Sequence, residues 1–363
     1  MRRRKNKLGK KVIVAMSGGV DSSVCALLLK QQGFEVVGIT MQIWQSSNDQ
    51  DRACYSLEAV NDARSVAWKL DIPFYVFNFQ EEFKHTVIDY FCREYLRGRT
   101  PNPCIVCNCQ LKFQSLLNKA LAMDADYIAT GHYARIMRDE CSGQFNLLTG
   151  LDNSKDQSYA LYSLNQHQLE HTLFPLGTYT KHEVRRLAEK AGLPVSSKAE
   201  SQDICFVPDG NYGAFVDNYP GLEKKTGLFR YSSGDYLGPH KGIHHYTIGQ
   251  RKGLGLAMGH PVYVTAIDAD SNTVWVGENQ ELFRDHLTAS DVHYISATPL
   301  NSPTELTVKI RYSSKRVPAL VIPSDNNRAE VKFHSPQRAI TPGQAVVFYD
   351  GEQVIGGGTI CWD

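Results

Sequence analysis

One short stretch constrains the fold of this 363-residue chain more than any other. In "KKVIVAMSGGVDSSVCALLLKQQGFEVVGITMQIW", the residues Ser-Gly-Gly-Val-Asp-Ser-Ser, numbered 17–23, separate an apolar β-branched run from an apolar helix-like run. A run without polar alternation is typical of a parallel strand that is buried on both faces. Gly33 predicts the end of the helix, and residues 34–40 predict the next strand. The stretch therefore predicts a right-handed β-α-β unit within a parallel sheet.

Helices and strands continue to alternate to about residue 205. Helix-like segments "SLEAVNDARSVAWKLDI", "FQSLLNKALAMDA" and "TKHEVRRLAEKAGLP" alternate with strand-like "PFYVFNF" and "DYIATGHYA". In the last helix, Thr180 and Glu183 predict a capping box, and Gly192 predicts the end. This order predicts a doubly wound α/β domain.

The secondary-structure pattern of the sequence changes after this region. Glycines are frequent and the strands look short up to about residue 283, whereas short alternating segments between turn residues follow from Arg284. The second pattern predicts a small antiparallel β-barrel. We therefore predict three domains: a catalytic α/β domain over residues 1–208 with a basic tail at 1–10, a small central mainly β domain over 209–283, and a C-terminal β-barrel over 284–363.

The composition restricts the class of protein and its compartment. No run approaches the roughly 20 apolar residues that a membrane span needs, and the apolar run after the basic start is shorter than the about 7 to 15 residues of a secretory signal. We expect a cytoplasmic protein with a solvated basic tail. Nine cysteines in a reducing compartment indicate metal binding or catalysis rather than disulfides. With a net charge of +1, binding of a polyanion requires a local patch.

The loop at residues 17–23 has the features of a phosphate site. Glycines allow a close approach of the backbone, and free amides at a helix N-terminus favour an anion. The hydroxyls of Ser17, Ser22 and Ser23 add donors, while Asp21 makes sense if it holds Mg²⁺ against the phosphates. The alternative is an ordinary capped, Gly-rich turn. A Walker loop is excluded because no Gly-Lys-Ser/Thr follows.

The loop resembles the pyrophosphatase loop of the N-type ATP pyrophosphatases, the PP-loop superfamily. This resemblance implies that ATP is split between its α and β phosphates, so that the substrate is adenylated and pyrophosphate leaves. The superfamily includes several small-molecule synthetases and the tRNA thiolases, and the loop does not choose among them.

Further sequence motifs indicate which family within the superfamily the chain resembles. "TPNPCIVCN", "ATGHYAR", "KDQSYAL", "SQDICF", "HHYTIGQRKGLG", "KIRYSS" and "PGQAVVFYDGE" occur in this order, and from about Val12 onward the chain is identified as a member of the tRNA-specific 2-thiouridylase family. The resemblance implies adenylation of the 2-oxygen of the wobble uridine, position 34 of tRNA, followed by sulfur transfer from a cysteine persulfide. It also implies tRNAs with Lys, Glu and Gln type anticodons, a persulfide donor such as a cysteine desulfurase or a sulfur relay protein, and a monomer.

Replacing oxygen by sulfur requires a sulfur carrier and a second thiol, and it leaves a disulfide that an external reductant must open. By family position, Cys205 matches the persulfide carrier and Cys107 the partner thiol. A loop location near phosphate-binding positive potential would lower a thiol pKa, and we expect this here. Cys109 has no matching role, and core packing is expected for Cys25, Cys54, Cys92, Cys141 and Cys361.

Cys104 stands where one common family pattern has an Asp, proposed as a general acid/base. As an alternative, Cys104, Cys107 and Cys205 are three thiols that could ligate a [4Fe–4S] cluster with one open iron. Persulfide chemistry is favoured over an obligate cluster, because a Cys-x-x-Cys pair alone also indicates a redox or zinc site.

The remaining site predictions are carried over from the family. For ATP they comprise Ala15, Met16, Ser17, Gly18, Gly19, Val20, Asp21, Ser22, Met41 and Gly131; for the target base, Asn102, Pro103 and Cys104; for tRNA, His132, Lys155, Asp156, Gln157, Arg311, Tyr312 and Gln344. Core packing of Met41, a structural role of His132 and a solvated loop at 155–157 are the ordinary alternatives. For the whole chain, the alternatives are another adenylating enzyme of the superfamily and a metal-binding RNA-binding module without catalysis.

Overall fold

A computed structural model describes residues 9–43, 57–199, 204–207, 209–222, 225–296 and 298–362. Its strands are β1 Lys11–Ala15, β2 Glu35–Gln42, β3 Phe74–Asn78, β4 Tyr127–Ala129, β5 Ala134–Arg138, β6 Phe145–Thr149, β7 Thr172–Leu173, β8 Gly227–Tyr231, β9 Tyr236–His240, β10 Tyr263–Asp268, β11 Thr273–Gly277, β12 Phe283–Tyr294, β13 Thr304–Lys309, β14 Val317–Ser324, β15 Arg328–Arg338, β16 Ala345–Asp350 and β17 Gln353–Cys361. Its α-helices are α1 Val20–Gln31, α2 Leu57–Lys69, α3 Gln80–Phe83, α4 Asp89–Leu96, α5 Pro103–Val106, α6 Leu117–Leu121, α7 Gln166–Glu170, α8 Lys181–Lys190 and α9 Tyr212–Asp217.

The N-terminal sheet is parallel and has the order β3-β2-β1-β4-β7. The first β-α-β unit is confirmed, because α1 connects β1 to the parallel neighbour β2. The helix α1 is apolar on most faces and is buried between the sheet and α8. The predicted capping box of α8 is also confirmed, with Thr180 and Glu183 bonded reciprocally. Strand order reverses beside β1, which is where doubly wound sheets bind ligands.

The cysteine-rich stretch is helical, which corrects the expected loop. The segment α5 continues through wider, π-type turns over Cys107–Leu116 into α6, so one helical segment extends from Pro103 to Leu121. A second π-type stretch, Lys84–Ile88, joins α3 to α4. Such turns are frequent at functional sites.

The strictly alternating order predicted up to residue 205 is interrupted. The segment "DYIATGHYA" is not one strand, because β4 ends at Ala129 and β5 begins at Ala134. Strands β5 and β6 form an antiparallel hairpin that pairs with β17. The predicted C-terminal barrel is confirmed, since β12-β15-β14-β13-β16-β17 closes through a β12–β17 pairing. The hairpin therefore joins the barrel to the N-terminal region by a shared sheet.

A third sheet, of order β10-β11-β8-β9, lies between these regions in the sequence. The barrel is also held directly to the segment that precedes α5. Thr100 N–H donates to the Pro342 carbonyl at 2.9 Å, and Gln344 Nε2 donates to the Thr100 carbonyl at 2.8 Å. Buried Tyr159 donates through its hydroxyl to the Ala345 carbonyl at 2.8 Å. The start of the cysteine-bearing helix is therefore positioned by the barrel.

Candidate active site

The loop between β1 and α1 is held in shape by its own serines. Ser17 N–H donates to Ser22 Oγ at 3.1 Å, and Ser22 Oγ donates to the Gly19 carbonyl at 3.2 Å. Ser23 also donates to the Gly19 carbonyl, at 2.8 Å, and is fully buried. Ser23 is therefore a support of the loop, which corrects its prediction as a phosphate donor.

Two glycines allow close packing around this loop. Gly18 has a φ of 72°, and a Cβ at this position would lie 2.3 Å from the Ala59 carbonyl oxygen. A Cβ at Gly131, just after β4, would lie 2.8 Å from the backbone nitrogen of Ser22. Gly131 was predicted to permit a close approach of nucleotide. The close neighbour in the structure is the loop itself, which a larger residue would displace.

A cleft of about 660 Å³ opens where β1, β2 and β4 end. Of the residues predicted to bind ATP, those that line it are Ala15, Met16, Ser17, Asp21, Ser22, Met41 and Gly131. Gly18 and Gly19 supply the backbone of the loop, and Val20 begins α1 with its side chain in the core. Lys112, His132 and Gln157 also line this cleft.

His132 was predicted to contact tRNA, but it is buried in the wall of this cleft. Its ring packs between Phe113 and Phe174, with ring centroids 5.9 and 5.8 Å away. Burial, and then the nearby Lys112, hold the pKa of His132 well below its usual range. The imidazole is therefore neutral at physiological pH, and it does not provide a cation for an RNA phosphate.

Asp21 is contacted by two side chains that the sequence interpretation did not single out. Lys181 Nζ lies 2.7 and 2.8 Å from the two carboxylate oxygens, and the Tyr133 hydroxyl donates to Oδ1 at 2.8 Å. Lys181 is the first residue of α8, and the Thr180 capping box determines where this helix begins. That box is a sequence signal, but it does not reveal that Lys181 reaches back to the loop.

The predicted target-base residues begin the cysteine-bearing helix. Asn102 caps it, because its Oδ1 accepts from Cys104 N–H at 3.1 Å, and Pro103 occupies the first helical position. Asn102 also lines a second cavity, of about 960 Å³, together with Cys109 and Tyr162. Cys109 therefore lies towards a different cavity from the one lined by Lys112.

Cys107 lies where α5 passes into the π-type turns, packed against the hydrophobic core. Burial raises the pKa of its thiol, and Lys112 acts in the opposite direction. The expectation of a lowered pKa is therefore wrong for Cys107, because the thiol lies in a packed helix instead of a solvated loop. Lys112 donates to Asn108 Oδ1 at 3.0 Å, and Asn108 Nδ2 donates to the Ala160 carbonyl at 3.1 Å. These bonds link the turn that carries Cys107 to the cleft.

Cys205 packs against the same hydrophobic core as Cys107. The next residue, Phe206, anchors the segment by edge-to-face contacts with Phe83 and Phe91, at 5.6 and 5.1 Å between centroids. In the "SQDICF" motif, residues 201–203 lie outside the described part of the chain. The two thiols that the family assigns to sulfur transfer are thus carried by segments that share one core.

The three thiols proposed as cluster ligands differ in exposure, since Cys104 is exposed whereas Cys107 and Cys205 are partly buried against the hydrophobic core. Cys104 is exposed and is close enough to Tyr312 of the barrel to contribute to the raised pKa of that tyrosine, after burial and Asp156. Within the described ranges, only two groups of three His, Cys, Asp or Glu side chains have donor atoms within 4.8 Å of one another, and neither contains a cysteine. The iron–sulfur cluster stays a prediction, because each cysteine of a [4Fe–4S] cluster ligates a different iron and the thiols need not meet at one point.

The polar segment at 155–157 has one half-exposed and one buried charge. Lys155 is half-buried at the surface. Asp156 is buried, and its Oδ1 accepts from the backbone N–H groups of Gly150 and Ser158, each at 3.1 Å. Gln157 accepts from Tyr133 N–H at 3.0 Å. Asp156 therefore organises the loop, and the contact of this segment with tRNA stays a prediction.

The predicted tRNA residues of the barrel differ in their surroundings. Arg311 donates to the Ala339 carbonyl and, at 2.9 Å, to Thr341 Oγ1. Gln344 donates to the Thr100 carbonyl in the segment before α5, so both side chains have structural partners. Tyr312 is 44% exposed, and Lys309 Nζ lies 5.4 Å from its ring centroid. Tyr312 is therefore the accessible member of this predicted set in the barrel.

The remaining cysteines were predicted to pack in the core. Cys25, Cys92 and Cys361 are buried, as expected. Cys141 is exposed in the turn between β5 and β6, which corrects its prediction. Cys54 lies outside the described residues.

Three family models match the chain. The family described as tRNA methyl transferase HUP domain matches residues 10–209, that described as tRNA methyl transferase PRC-barrel domain matches 214–278, and that described as Aminomethyltransferase beta-barrel domain matches 284–360. No helix in the described ranges is long and apolar enough to cross a membrane.

Curated relatives match along nearly the whole chain. The tRNA-specific 2-thiouridylase MnmA 1 of Thermoanaerobacter sp. (strain X514) is 55% identical over 358 residues, which cover 98% of each chain. The tRNA-specific 2-thiouridylase MnmA of Acetivibrio thermocellus is 53% identical over 97% of this chain and 99% of its own. Among solved structures, the U34-tRNA thiolase NcsA from Methanococcus maripaludis with its [4Fe-4S] cluster is 19% identical, and the match covers 60% of this chain and 70% of that chain. Its TM-score of 0.36 is too low to support an inference.

Proposed function

The chain belongs to the tRNA-specific 2-thiouridylase family, and we propose that it uses ATP to replace the 2-oxygen of the wobble uridine of tRNA with sulfur. The observation that carries the proposal is the helix from Pro103 to Leu121. Its Lys112 lines the cleft beside the Ser-Gly-Gly loop, and its Cys107 packs on the core that also carries Cys205. One helix thus connects the adenylation site to the sulfur-transfer thiols.

In the first step, the uridine 2-oxygen attacks the α phosphate of ATP, and pyrophosphate leaves. We assign the backbone of the loop, with Ser17 and Ser22, to binding of the phosphates. Asp21 suits Mg²⁺, a hard cation that takes carboxylate oxygen and would neutralise phosphate charge. Lys181, whose ammonium lies beside Asp21, supplies a second positive charge for the pyrophosphate that departs.

In the second step, the terminal sulfur of a Cys205 persulfide attacks carbon 2 of the adenylated uridine, and AMP leaves. The Cys107 thiolate then attacks the Cys205 Sγ, which breaks the bond between Cys205 and the transferred sulfur. The product is 2-thiouridine with a Cys107–Cys205 disulfide, and an external reductant supplies two electrons to reopen it. In the alternative order, Cys107 attacks the persulfide first and the released sulfide attacks carbon 2. The electron balance is the same in both.

The partners follow from this chemistry. The substrate is a tRNA of the Lys, Glu or Gln type, whose wobble base must leave its stack at a cost of a few kcal/mol. We assign Tyr312 and Lys309, on the barrel near Cys104, to the RNA, because an exposed aromatic ring and a cation suit base stacking and phosphate contact. A cysteine desulfurase or a sulfur relay protein charges Cys205.

Reconstitution tests the proposal. Purified protein, ATP, Mg²⁺, unmodified tRNA and a persulfide source are combined with and without iron, and 2-thiouridine is measured by nucleoside mass spectrometry. We expect the product without iron, and a strict iron requirement would instead support the cluster version. Pyrophosphate release that does not need tRNA would indicate another adenylating enzyme, and no release at all would indicate an RNA-binding module.

The raised pKa of Cys107 predicts a pH dependence. Because burial disfavours the thiolate, its pKa lies above the ordinary 9.0, and the thiolate fraction at pH 7 is lower than that of an exposed thiol. Alkylation of Cys107 by iodoacetamide should therefore rise about tenfold per pH unit and reach half its maximum only above pH 9. Peptide mass spectrometry measures the rate, with exposed Cys141 as the reference thiol. A midpoint below pH 9 for Cys107 would contradict the raised pKa of its thiol.

A further inference from the structure

Two imidazoles and a carboxylate meet at one point away from the cleft. His244 Nε2 lies 2.8 Å from Asp217 Oδ1, and His245 Nε2 lies 3.3 Å from the same oxygen. The His244 side chain is 5% exposed, and the two ring centroids are 4.5 Å apart. In the described ranges, the other group of this kind consists of His167 and Glu170 on helix α7 and His171, which follows its last residue. The Asp217 group, in contrast, is largely enclosed.

Two glycines allow both rings to pack closely against the backbone. A Cβ at Gly213, on α9, would lie 2.1 Å from His245 Nδ1, and a Cβ at Gly242 would lie 2.6 Å from His244 Cε1. Gly242 also has a φ of 124°, a conformation that favours glycine. The two rings are therefore fixed by positions at which any side chain would displace them.

A third histidine nearby is engaged elsewhere. His240 Nδ1 accepts from Gly242 N–H at 3.0 Å, and its Nε2 lies 3.1 Å from the Asn272 carbonyl oxygen. The donor set is thus His244, His245 and Asp217, with Lys241 as a nearby opposing cation.

We propose that Asp217, His244 and His245 bind a divalent transition-metal ion, for which Zn²⁺ is the probe. Imidazole nitrogen and carboxylate oxygen are common zinc ligands, and ligand atoms about 2.0–2.2 Å from a tetrahedral ion lie about 3.3 Å apart. His245 Nε2 lies at this distance from Asp217 Oδ1, whereas His244 Nε2, at 2.8 Å, would move outward as the ion replaces its hydrogen bond. Three protein ligands leave one position for water. Because none of the three ligands lines the cleft beside the Ser-Gly-Gly loop, we assign the ion a structural role.

The site would connect the central sheet region to the sulfur-transfer segment. Asp217 ends α9, whereas both histidines lie in the short turn Ile243–His245 that follows β9. In α9, Phe215 packs on Phe206, the neighbour of Cys205, with centroids 5.1 Å apart. A metal ion would thus hold the helix on which the Cys205 segment packs.

Metal titration of the full chain tests this site without ATP or tRNA, so its outcome is independent of the proposed function. We expect one tightly bound Zn²⁺ per chain by isothermal titration, and a higher midpoint of thermal unfolding with zinc. Asp217→Asn and His245→Gln should each lower zinc affinity more than the roughly 10- to 100-fold that loss of an outer-shell partner costs. Asp217→Asn keeps an oxygen acceptor for both rings, so the hydrogen bonds persist while the anionic ligand is lost.

Cysteine thiolates also bind zinc. The controls therefore distinguish zinc bound by Asp217, His244 and His245 from zinc bound by cysteines. With Co²⁺, we expect ligand-field absorption without thiolate charge-transfer bands. In a triple variant, Cys104→Ser, Cys107→Ser and Cys205→Ser, we expect the same number of zinc ions bound per chain. His260→Gln is the matched control, because exposed His260 pairs with Glu278 outside the group. Unchanged zinc affinity and unfolding midpoint in Asp217→Asn, or binding that disappears with the three thiols, would overturn the proposal.

Discussion

Cys205→Ser should abolish 2-thiouridine formation while tRNA-dependent release of pyrophosphate continues. Adenylation of the uridine needs only the loop and cleft, whereas the persulfide can form only on a thiol. Cys107→Ser should also stop turnover, because its hydroxyl cannot displace the uridine-bound sulfur from Cys205. Both products are measured in one reaction, 2-thiouridine by mass spectrometry and pyrophosphate by an enzyme-coupled assay.

Cys109→Ser is the matched control for this pair. Cys109 lies on the same helix as Cys107, but it lines the second cavity with Asn102 and Tyr162. We expect its activity to be close to that of the wild type. Retained thiolation in Cys205→Ser would refute the assigned role. Loss of pyrophosphate release in both serine variants would indicate damage to the fold instead of to sulfur transfer.

Lys181→Met should lower tRNA-dependent pyrophosphate release by about 10²- to 10³-fold, the usual cost of removing one group that stabilises charge in the transition state. Lys181 is the cation in contact with Asp21, at 2.7 Å, and its side chain is only 12% exposed. Without it, the charge that develops on the departing pyrophosphate loses a nearby counter-charge. The rate is measured at saturating ATP and tRNA, and thiolation should fall in parallel.

Lys30→Met provides the matched control for Lys181→Met. Lys30 lies near the other end of α1 and bonds to the Asp71 carbonyl at 3.1 Å, far from the loop at the start of that helix. The Lys30→Met variant should release pyrophosphate at the wild-type rate. Asp21→Asn should resemble Lys181→Met, with a raised Mg²⁺ requirement. If Lys181→Met kept the wild-type rate with an unchanged fold, Lys181 would be only a structural partner of Asp21.

Local patterns predicted the parallel sheet, the closed barrel and the loop. The buried strand β1, the glycines of the loop and the capping box at Thr180 each act within a few residues, so the sequence displays them directly. The residues that line the cleft were also largely predictable, because β1, β2 and β4 end at one edge of the sheet.

The surroundings of other predicted residues depend on contacts that the sequence pattern does not display. His132 is flanked by Phe113 and Phe174, and this packing makes a neutral wall residue of a histidine that sequence position suggested for RNA. Asp156 turns inward because two backbone N–H groups bond its carboxylate. Cys107 has a raised pKa because the chain around it continues as a helix against the core.

The sequence by itself determined the fold class, the Ser-Gly-Gly turn between β1 and α1 and the family, because each is specified by the order and chemistry of nearby residues. Only the tertiary structure decided which side chains converge. Lys181 meets Asp21, and His244 and His245 meet Asp217, through contacts between segments that lie far apart along the chain. Burial and electrostatics at such contacts depend on the packing of whole elements, so they become visible only when the chain is folded.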